Sequence, residues 1–265
     1  MRVQTKFLPK ANYFNITQPL ILKFIQFKRS KRREVLDTKG LLVNMGIYML
    51  DVYRSPNIGV FLKANNRFVL VPRGLASTKC SKLSILLGVK PVRISVAGSR
   101  LLGPLVALND KGILVSRLAD DEEIKILSRE TGLRVARLPS KYTSVGNLLA
   151  ANNKGAVASP LLHAECLKTV KEILEVPVET LTIAGYTQVG SLVTVTDKGA
   201  AVHPKASPTE IEQLSEIFSV DVEPATINGG VPFVTSGILV NQSNAVVGSL
   251  TTGPELMILS RVFKV

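Results

Sequence analysis

The sequence predicts an α+β protein made of five repeats, closed into a ring with the strands towards the centre and the helices outside. A glycine recurs at positions 59, 103, 146, 190 and 237, with spacings of 44, 43, 44 and 47 residues. We call these the marker glycines. Each repeat combines three strand-like segments with one amphipathic helix, a unit that needs neighbours to bury its faces. The fifth helix keeps its apolar face (Leu256, Leu259, Val262, Phe263) to the last residues, unlike the polar cap of an open stack. A ring leaves no exposed edges.

Residues 1–44 stand apart from the repeats because they hold ten basic and two acidic residues. Their apolar run, residues 19–27, is short and interrupted by Lys23, so it does not fit a membrane-spanning helix or a secretory signal. The basic cluster at 28–33 that follows it could contact RNA. We interpret residues 1–44 as a basic extension that is disordered or a mis-called start, with Met45 as the natural first residue. Residues 45–265 then form a single five-repeat domain.

The repeats begin near Ile47, Val92, Val135, Val178 and Val222. The first segment of a repeat, such as residues 92–96 or 178–183, is rich in β-branched residues and predicts a strand. A turn joins it to the marker glycine, and the segment that follows the glycine predicts a second strand.

A turn with Asn, Asp and Gly follows the second strand, at residues 109–112, 152–155 and 196–199. These residue types predict a hairpin whose glycine takes the left-handed conformation, and the third strand comes after it. Each repeat is thus predicted as two strands, a turn, a strand and a helix, with no crossover helix between parallel strands.

The helix of the third repeat, residues 162–176, shows the amphipathic pattern most clearly. Its apolar face holds Cys166, Leu167, Val170, Ile173 and Leu174. Two other helices have start signals. Residues 207–210 predict a capping box with proline at the first helical position. The acidic run 120–123 complements a helix dipole, which explains it without a catalytic role.

Composition narrows the function classes. The 265 residues are 46% hydrophobic and carry a net charge of +13, which favours a polyanionic partner such as ribonucleoprotein. Most of the excess charge lies in residues 1–44, so the body is only mildly basic. Cys80 and Cys166 are too few for a disulfide scaffold or a four-ligand zinc site and predict a reducing cytoplasm.

The repeats resemble the archaeal translation initiation factor 6 family, the counterpart of the eukaryotic ribosome anti-association factor. The similar stretches are residues 56–61, 146–157, 189–192, 196–204, 229–233 and 252–256, spread over all five repeats. The resemblance implies the pentein fold, in which five pseudosymmetric β/α units surround an axis, with no catalytic activity, cofactor or metal. The absence of a Ser-rich tail after Val265 favours the archaeal branch.

The resemblance also implies partners. Members of the family bind the large ribosomal subunit, contacting universal large-subunit ribosomal protein fourteen near the sarcin-ricin loop of the large rRNA, and so prevent the small subunit from joining. A release factor and a GTPase are expected to remove the protein, which is expected to be a monomer when free. A role in maturation of the large subunit is a further possibility that the family raises.

The ribosome-binding residues are expected beside the marker glycines, because these positions recur at one radius of the ring. The predicted set is Asn57, Arg100, Pro104, Tyr142, Gly146, Asn147, Tyr186, Ser191, Asn228, Gly229 and Gly230. For Asn147 the resemblance adds support, since the Gly-Asn pair of the family's third unit is placed against the ribosomal protein. The alternative interpretation is that the glycines allow close strand packing and the polar residues cap strand ends.

Two other functions were weighed. Some pentein enzymes modify guanidino groups with a Cys, a His and carboxylates near the axis, but Cys80 and Cys166 fall in predicted helices. His163 lies in the same helix as Cys166, and His203 has no Cys near it in its repeat. A general RNA-binding module is the second alternative; only 5% of residues are aromatic, so stacking platforms are scarce.

Overall fold

The computed structural model describes residues 34–36, 42–44 and 46–265, which form a mixed α+β structure. Within the amino-terminal extension, β1 (Glu34–Leu36) pairs antiparallel with β2 (Leu42–Asn44). The rest of the extension and the predicted start at Met45 lie outside the described residues. The division of the chain at residue 45 stays a prediction.

Each repeat contributes one antiparallel hairpin, as the turn residues predicted. The hairpins are β4 (Lys63–Ala64) with β5 (Phe68–Pro72), β7 (Val106–Leu108) with β8 (Gly112–Val115), β10 (Leu149–Ala151) with β11 (Ala156–Ala158), β13 (Val193–Val195) with β14 (Ala200–Val202), and β16 (Ile238–Val240) with β17 (Asn244–Val247).

A third strand from the following repeat completes each sheet, parallel to the second strand of the hairpin. In sheet order these strands are β6 (Lys90–Ile94), β9 (Arg134–Arg137), β12 (Val178–Thr180), β15 (Val222–Pro224) and β3 (Gly46–Met49). The fifth sheet takes its third strand from the first repeat: Asn244 pairs with Gly46, and Val247 with Met49. The last hairpin is therefore bonded to the first strand of the repeats.

Five helices of 11 residues connect the hairpins to the third strands. They are α1 (Ser77–Leu87), α2 (Asp121–Thr131), α3 (Ala164–Leu174), α4 (Pro208–Phe218) and α5 (Gly253–Phe263). The first four are crossovers between parallel strands, so the predicted absence of crossover helices was wrong. The first strand of each repeat pairs back onto the preceding hairpin, because a helix with its flanking loops is long enough to join parallel strands.

The helix predictions were confirmed in detail. In α3, Cys166, Val170, Ile173 and Leu174 are buried and Leu167 is partly buried. Capping boxes begin α2, between the side chains of Asp120 and Glu123, and α4, between Ser207 and Glu210.

Five clusters of buried apolar side chains make up the core, and neighbouring repeats share them. The cluster around Cys166 in the third repeat includes Leu114 of the second. The cluster around Leu83 in the first repeat includes Leu239 and Val246 of the fifth. Each repeat therefore buries its helix against the sheet of its predecessor, as expected for units that cannot fold alone.

The glycines of the hairpin turns are not left-handed, so that prediction was wrong for Gly112, Gly155 and Gly199. A Cβ on Gly112 would clash with the backbone carbonyl oxygen of Ile173 in α3, and the other two glycines meet α4 and α5 in the same way. Glycine is needed here because each turn packs directly on the backbone of the next repeat's helix.

Side chains of the five hairpin turns are linked by hydrogen bonds into what we call the turn circuit: Asn66, Asp110, Asn153, Asp197 and Gln242. Asn66 Nδ2 donates to Asp110 Oδ2 (2.5 Å), and Asn153 Nδ2 donates to Oδ2 of both Asp110 (2.7 Å) and Asp197 (2.6 Å). Gln242 Nε2 donates to Asp197 Oδ2 (2.6 Å), and its backbone N–H donates to Asn66 Oδ1 (2.8 Å). The circuit thus connects the fifth repeat to the first.

Candidate functional site

The ends of the sheets opposite the hairpin turns carry tight turns, which we call the tip turns. They span residues 52–55, 96–99, 183–186 and 227–231, each closed by a β-bridge, and residues 138–142 take the equivalent place in the third repeat. Tyr53 and Arg54 both have positive φ, and so do Ala97 and Gly98. Positive φ at both central residues defines the tight turns that match strand twist. The surface formed by these turns, the loops that lead into the long helices and the short helices described next is the tip face.

Each marker glycine lies in a short helical turn, and not at the start of a strand as predicted. These are the one-turn helices Ile58–Phe61, Leu102–Leu105, Val145–Leu148 and Val189–Leu192 and the 3-10 helix Val234–Gly237. The hairpin strand begins directly or one residue after each of them.

Four marker glycines pack directly on the backbone of the preceding repeat. A Cβ at Gly103 would clash with the carbonyl oxygen of Gly59, and a Cβ at Gly146 with that of Gly103. Gly190 meets Gly146 in the same way, and Gly59 meets Thr235 of the fifth repeat. No larger residue fits at such an approach, so the short helices are held side by side at the centre of the tip face.

A glutamate at the third position of a long helix holds the tip turn in three repeats. Glu123 accepts hydrogen bonds from the backbone N–H groups of Ala97 (2.7 Å) and Gly98 (3.1 Å) while it caps its own helix at Asp120 (3.1 Å). Glu210 accepts from Ala184 (2.9 Å) in the same manner. The acidic run at residues 120–123 therefore has a structural role at this end of the molecule.

Glu255 is the most strongly held of these carboxylates. It accepts hydrogen bonds from the N–H groups of Gly229 (3.0 Å), Gly230 (2.8 Å) and Thr252 (2.7 Å) and from the hydroxyl of Thr226 (2.7 Å). Burial alone would raise the pKa of Glu255, but these hydrogen bonds outweigh it and lower the pKa from 4.5 to about 2. The carboxylate stays ionised and fixes the turn at Gly229 and Gly230.

The predicted site residues all lie on the tip face, but they differ in exposure. Asn57, Arg100, Tyr186, Gly229 and Gly230 are exposed, Pro104, Tyr142, Asn147 and Ser191 are half-buried, and Gly146 and Asn228 are buried.

Asn228 is buried because it joins the fifth repeat to the first. Its Nδ2 donates to the carbonyl oxygen of Pro56 (3.0 Å) and to Asn57 Oδ1 (3.3 Å), and its Oδ1 accepts from the hydroxyl of Thr251 (3.2 Å). Asn228 and Gly146 therefore support the tip face, and the other predicted residues supply its surface.

Exposed apolar side chains are concentrated on the tip face, a feature that the sequence analysis missed. Of the ten large apolar side chains exposed in the described residues, seven lie in its turns and loops. They are Tyr53, Leu101, Leu118, Leu161, Tyr186, Phe233 and Leu250. A concentration of this kind marks a surface that binds another macromolecule.

Aromatic and cationic groups are ordered within this surface. The guanidinium of Arg100 lies 5.3 Å from the ring centre of Tyr53, within cation–π range. Tyr186, His203 and Phe233 form a cluster with ring centres 5.8 to 6.4 Å apart. Burial lowers the pKa of His203, with a smaller contribution from Lys205. His203 is therefore a neutral packing partner at neutral pH.

The cysteine and histidine contacts do not form a nucleophile. Cys166 Sγ lies 3.3 Å from His163 Nδ1, closer than the sequence analysis anticipated, but the thiol is buried and points to the carbonyl oxygen of Pro139 (3.3 Å). Burial raises the pKa of Cys166 and also that of Cys80, which favours the unreactive thiol form.

Two searches of the described residues gave negative results. Residues 34–36, 42–44 and 46–265 hold no group of three or more His, Cys, Asp or Glu side chains placed to bind a metal ion. In the same part of the chain, every helix is too short or too polar to cross a bilayer.

Comparison with known proteins agrees with this architecture. The model of the eIF-6 family matches residues 47–262. Translation initiation factor 6 of Nitrosopumilus maritimus is 52% identical over 219 residues, which cover 83% of this chain and 99% of that protein. The proteins of the same name from Cenarchaeum symbiosum (46% identity, 83% and 99% coverage) and Pyrococcus furiosus (45% identity, 80% and 96% coverage) are also similar. The chain belongs to the eIF-6 family.

Proposed function

We propose that the protein is a translation initiation factor that binds the large ribosomal subunit and prevents the small subunit from joining. The concentration of exposed apolar side chains on the tip face carries this proposal, together with the relatives named translation initiation factor 6. The tip face also exposes Arg54, Arg73, Arg100 and Arg117, which suit contact with ribosomal protein and nearby rRNA phosphates.

The five sheets, in this proposal, close into the single ring of the pentein fold. Three features support closure: the pairing of β17 with β3, the packing of Gly59 on Thr235, and the bond from Gln242 to Asn66 in the turn circuit. Each joins the fifth repeat to the first. A closed ring is a rigid platform, so a partner that docks on the tip face meets a surface already in place.

Steric exclusion is the mechanism. A compact domain of 221 residues, the length from residue 45 to 265, has a radius of gyration of roughly 17 Å and a diameter of about 45 Å. A body of that width bound at the subunit interface leaves no room for the small subunit. A standard interface of about 1,600 Å² would hold it there.

The partner on the large subunit is universal ribosomal protein fourteen near the sarcin-ricin loop, and a release factor with a GTPase removes the protein. It acts in the cytoplasm as a monomer, without catalysis or a cofactor. The docking residues are the surface members of the predicted set: Asn57, Arg100, Pro104, Tyr142, Asn147, Tyr186, Ser191, Gly229 and Gly230.

Selective binding is the first test. Sedimented with purified subunits, the protein is expected to travel with the large subunit and to remain at the top of the gradient with the small one. The reason is that the tip face is shaped for one partner surface. Equal affinity for both subunits, or equal binding to unrelated RNA, would contradict the proposal and favour a general RNA-binding module.

Asn147→Arg tests the docking surface. Asn147 lies beside Gly146 in a one-turn helix, half-buried near the centre of the tip face. The longer, charged side chain is expected to weaken large-subunit binding at least tenfold, because loss of a good central contact costs about 2 kcal/mol. The melting temperature should hardly change.

Gln213→Arg is the matched control, since it adds the same charge to an exposed position of α4 outside the tip face. It is expected to bind the large subunit normally. Normal binding by folded Asn147→Arg protein would place the docking surface elsewhere.

A further inference from the structure

A cavity of about 90 Å³ lies between the five hairpins, which we call the central cavity. The first strand of every hairpin lines it, and Gly59, Gly190 and Thr235 of the short helices line it as well. A water molecule needs about 10 to 15 Å³ of such space, so the cavity has room for several waters or one small ligand.

One charged side chain lines this cavity. The middle position of the first hairpin strand is Ala107, Ala150, Thr194 and Leu239 in the second to fifth repeats, and Lys63 in the first. Alanines at two of these positions leave the space into which a lysine side chain fits. Among the described residues that line the cavity there is no carboxylate.

Nothing in the described part of the chain accepts a hydrogen bond from the Lys63 ammonium. The nearby hydroxyls are used by each other: Thr194 Oγ1 lies 3.0 Å from Thr235 Oγ1, which bonds to the carbonyl oxygen of Val193 (3.1 Å). Burial lowers the pKa of Lys63 to about 8, so the side chain still carries its charge at neutral pH. A buried charge without a partner is unfavourable, and a counter-ion relieves it.

The two carboxylates nearest to this region do not supply that counter-charge. Asp110 and Asp197 line a second, smaller cavity beyond Ala64, beside the hairpin turns. Both accept hydrogen bonds within the turn circuit. The Lys63 ammonium therefore faces apolar and amide groups on one side and open cavity on the other.

We propose that the central cavity binds one small monovalent anion, chloride under physiological conditions, held by the ammonium of Lys63. A single positive charge matches a single negative charge, whereas a doubly charged oxyanion would leave one charge buried without a partner. The bound anion contacts first strands from several repeats, so it stabilises their packing. This site is separate from the tip face and independent of ribosome binding.

Bromide can replace chloride and gives an anomalous X-ray signal. Crystals of the protein soaked in sodium bromide are expected to show one anomalous peak in the central cavity, within hydrogen-bonding distance of Lys63 Nζ. Crystals of Lys63→Met, which keeps the length of the side chain without its charge, should lack that peak. A cavity without bromide in the unchanged protein would overturn the proposal.

Thermal unfolding in solution gives an independent readout. At constant ionic strength, replacing sodium gluconate with sodium chloride is expected to raise the melting temperature, because a ligand that binds only the folded state stabilises it. The Lys63→Met variant should lose this response, while Lys82→Met, a change at an exposed lysine on α1, should keep it. An equal chloride response in the Lys63→Met protein would also overturn the proposal.

Discussion

Gly103→Ala is expected to lower the free energy of unfolding by about 3 kcal/mol, the upper range for added atoms in a packed core. The new Cβ would clash with the carbonyl oxygen of Gly59, and the Cα of Val60 lies 3.0 Å away. Both are backbone atoms of the neighbouring one-turn helix, which cannot move aside as a side chain can. Gly103 has no positive φ, so the effect is steric and does not come from backbone strain.

The matched control is Gly253→Ala, at the first position of α5, where an added Cβ meets no atom within 4 Å. Its unfolding free energy should stay within about 0.5 kcal/mol of the unchanged protein. Urea unfolding of both variants measures the difference. A Gly103→Ala protein as stable as the control would show that the one-turn helices do not pack through their glycines.

Glu255→Gln is expected to cost about 2 to 3 kcal/mol at neutral pH. The lowering of the pKa of Glu255 from 4.5 to about 2 corresponds to about 3 kcal/mol of stabilisation by the ionised form. The amide of glutamine would also set two donor hydrogens against the N–H groups of Gly229 and Gly230, which now donate to the carboxylate.

The pH dependence gives this prediction a second readout. A carboxylate whose folded pKa is depressed stabilises the protein above its unfolded pKa of about 4.5, and that stabilisation is lost as the pH falls towards 2. The gap in unfolding free energy between the unchanged protein and Glu255→Gln should therefore shrink between these pH values. Glu212→Gln, at an exposed position of α4, is the control and should change stability little. A gap that stays constant down to pH 2 would show that the charge of Glu255 is not its source.

The sequence predicts the period and the helices of this fold well because those features are local. The capping signals at Ser207 and Asp120 and the buried face of α3 depend on residues within one or two turns of each other. Such contacts are determined by spacing alone. The five sheets also follow from the hairpin turns, whose residue types are readable without knowledge of the neighbours.

Contacts between repeats are harder to predict, because they join residues far apart in the chain. Gly112 reads as a turn glycine, yet its reason is the carbonyl oxygen of Ile173 in the next repeat. The pairing of each first strand with the preceding hairpin is a choice between two neighbours that propensity does not decide. One signal was available: Ala97 with Glu123, and Ala184 with Glu210, are each 26 residues apart.

The candidate site was predicted in its position but not in its composition. The residues beside the marker glycines do lie on one face, because the glycines pack side by side. Tyr53 and Phe233 were missed, since exposure of an apolar side chain depends on which strand ends meet in space. Asn228 was predicted for the surface, and its polarity is used instead to join the fifth repeat to the first.

Formation of whole ribosomes is the measurement that tests the central claim most directly. Large subunits are first saturated with the protein, small subunits are added, and the fraction of joined particles is read from a sucrose gradient. The proposed steric block predicts that joined particles fall in proportion to the large subunits occupied, and that Asn147→Arg at the same concentration leaves them near the level without protein. Normal joining by large subunits that still carry the protein would contradict the account.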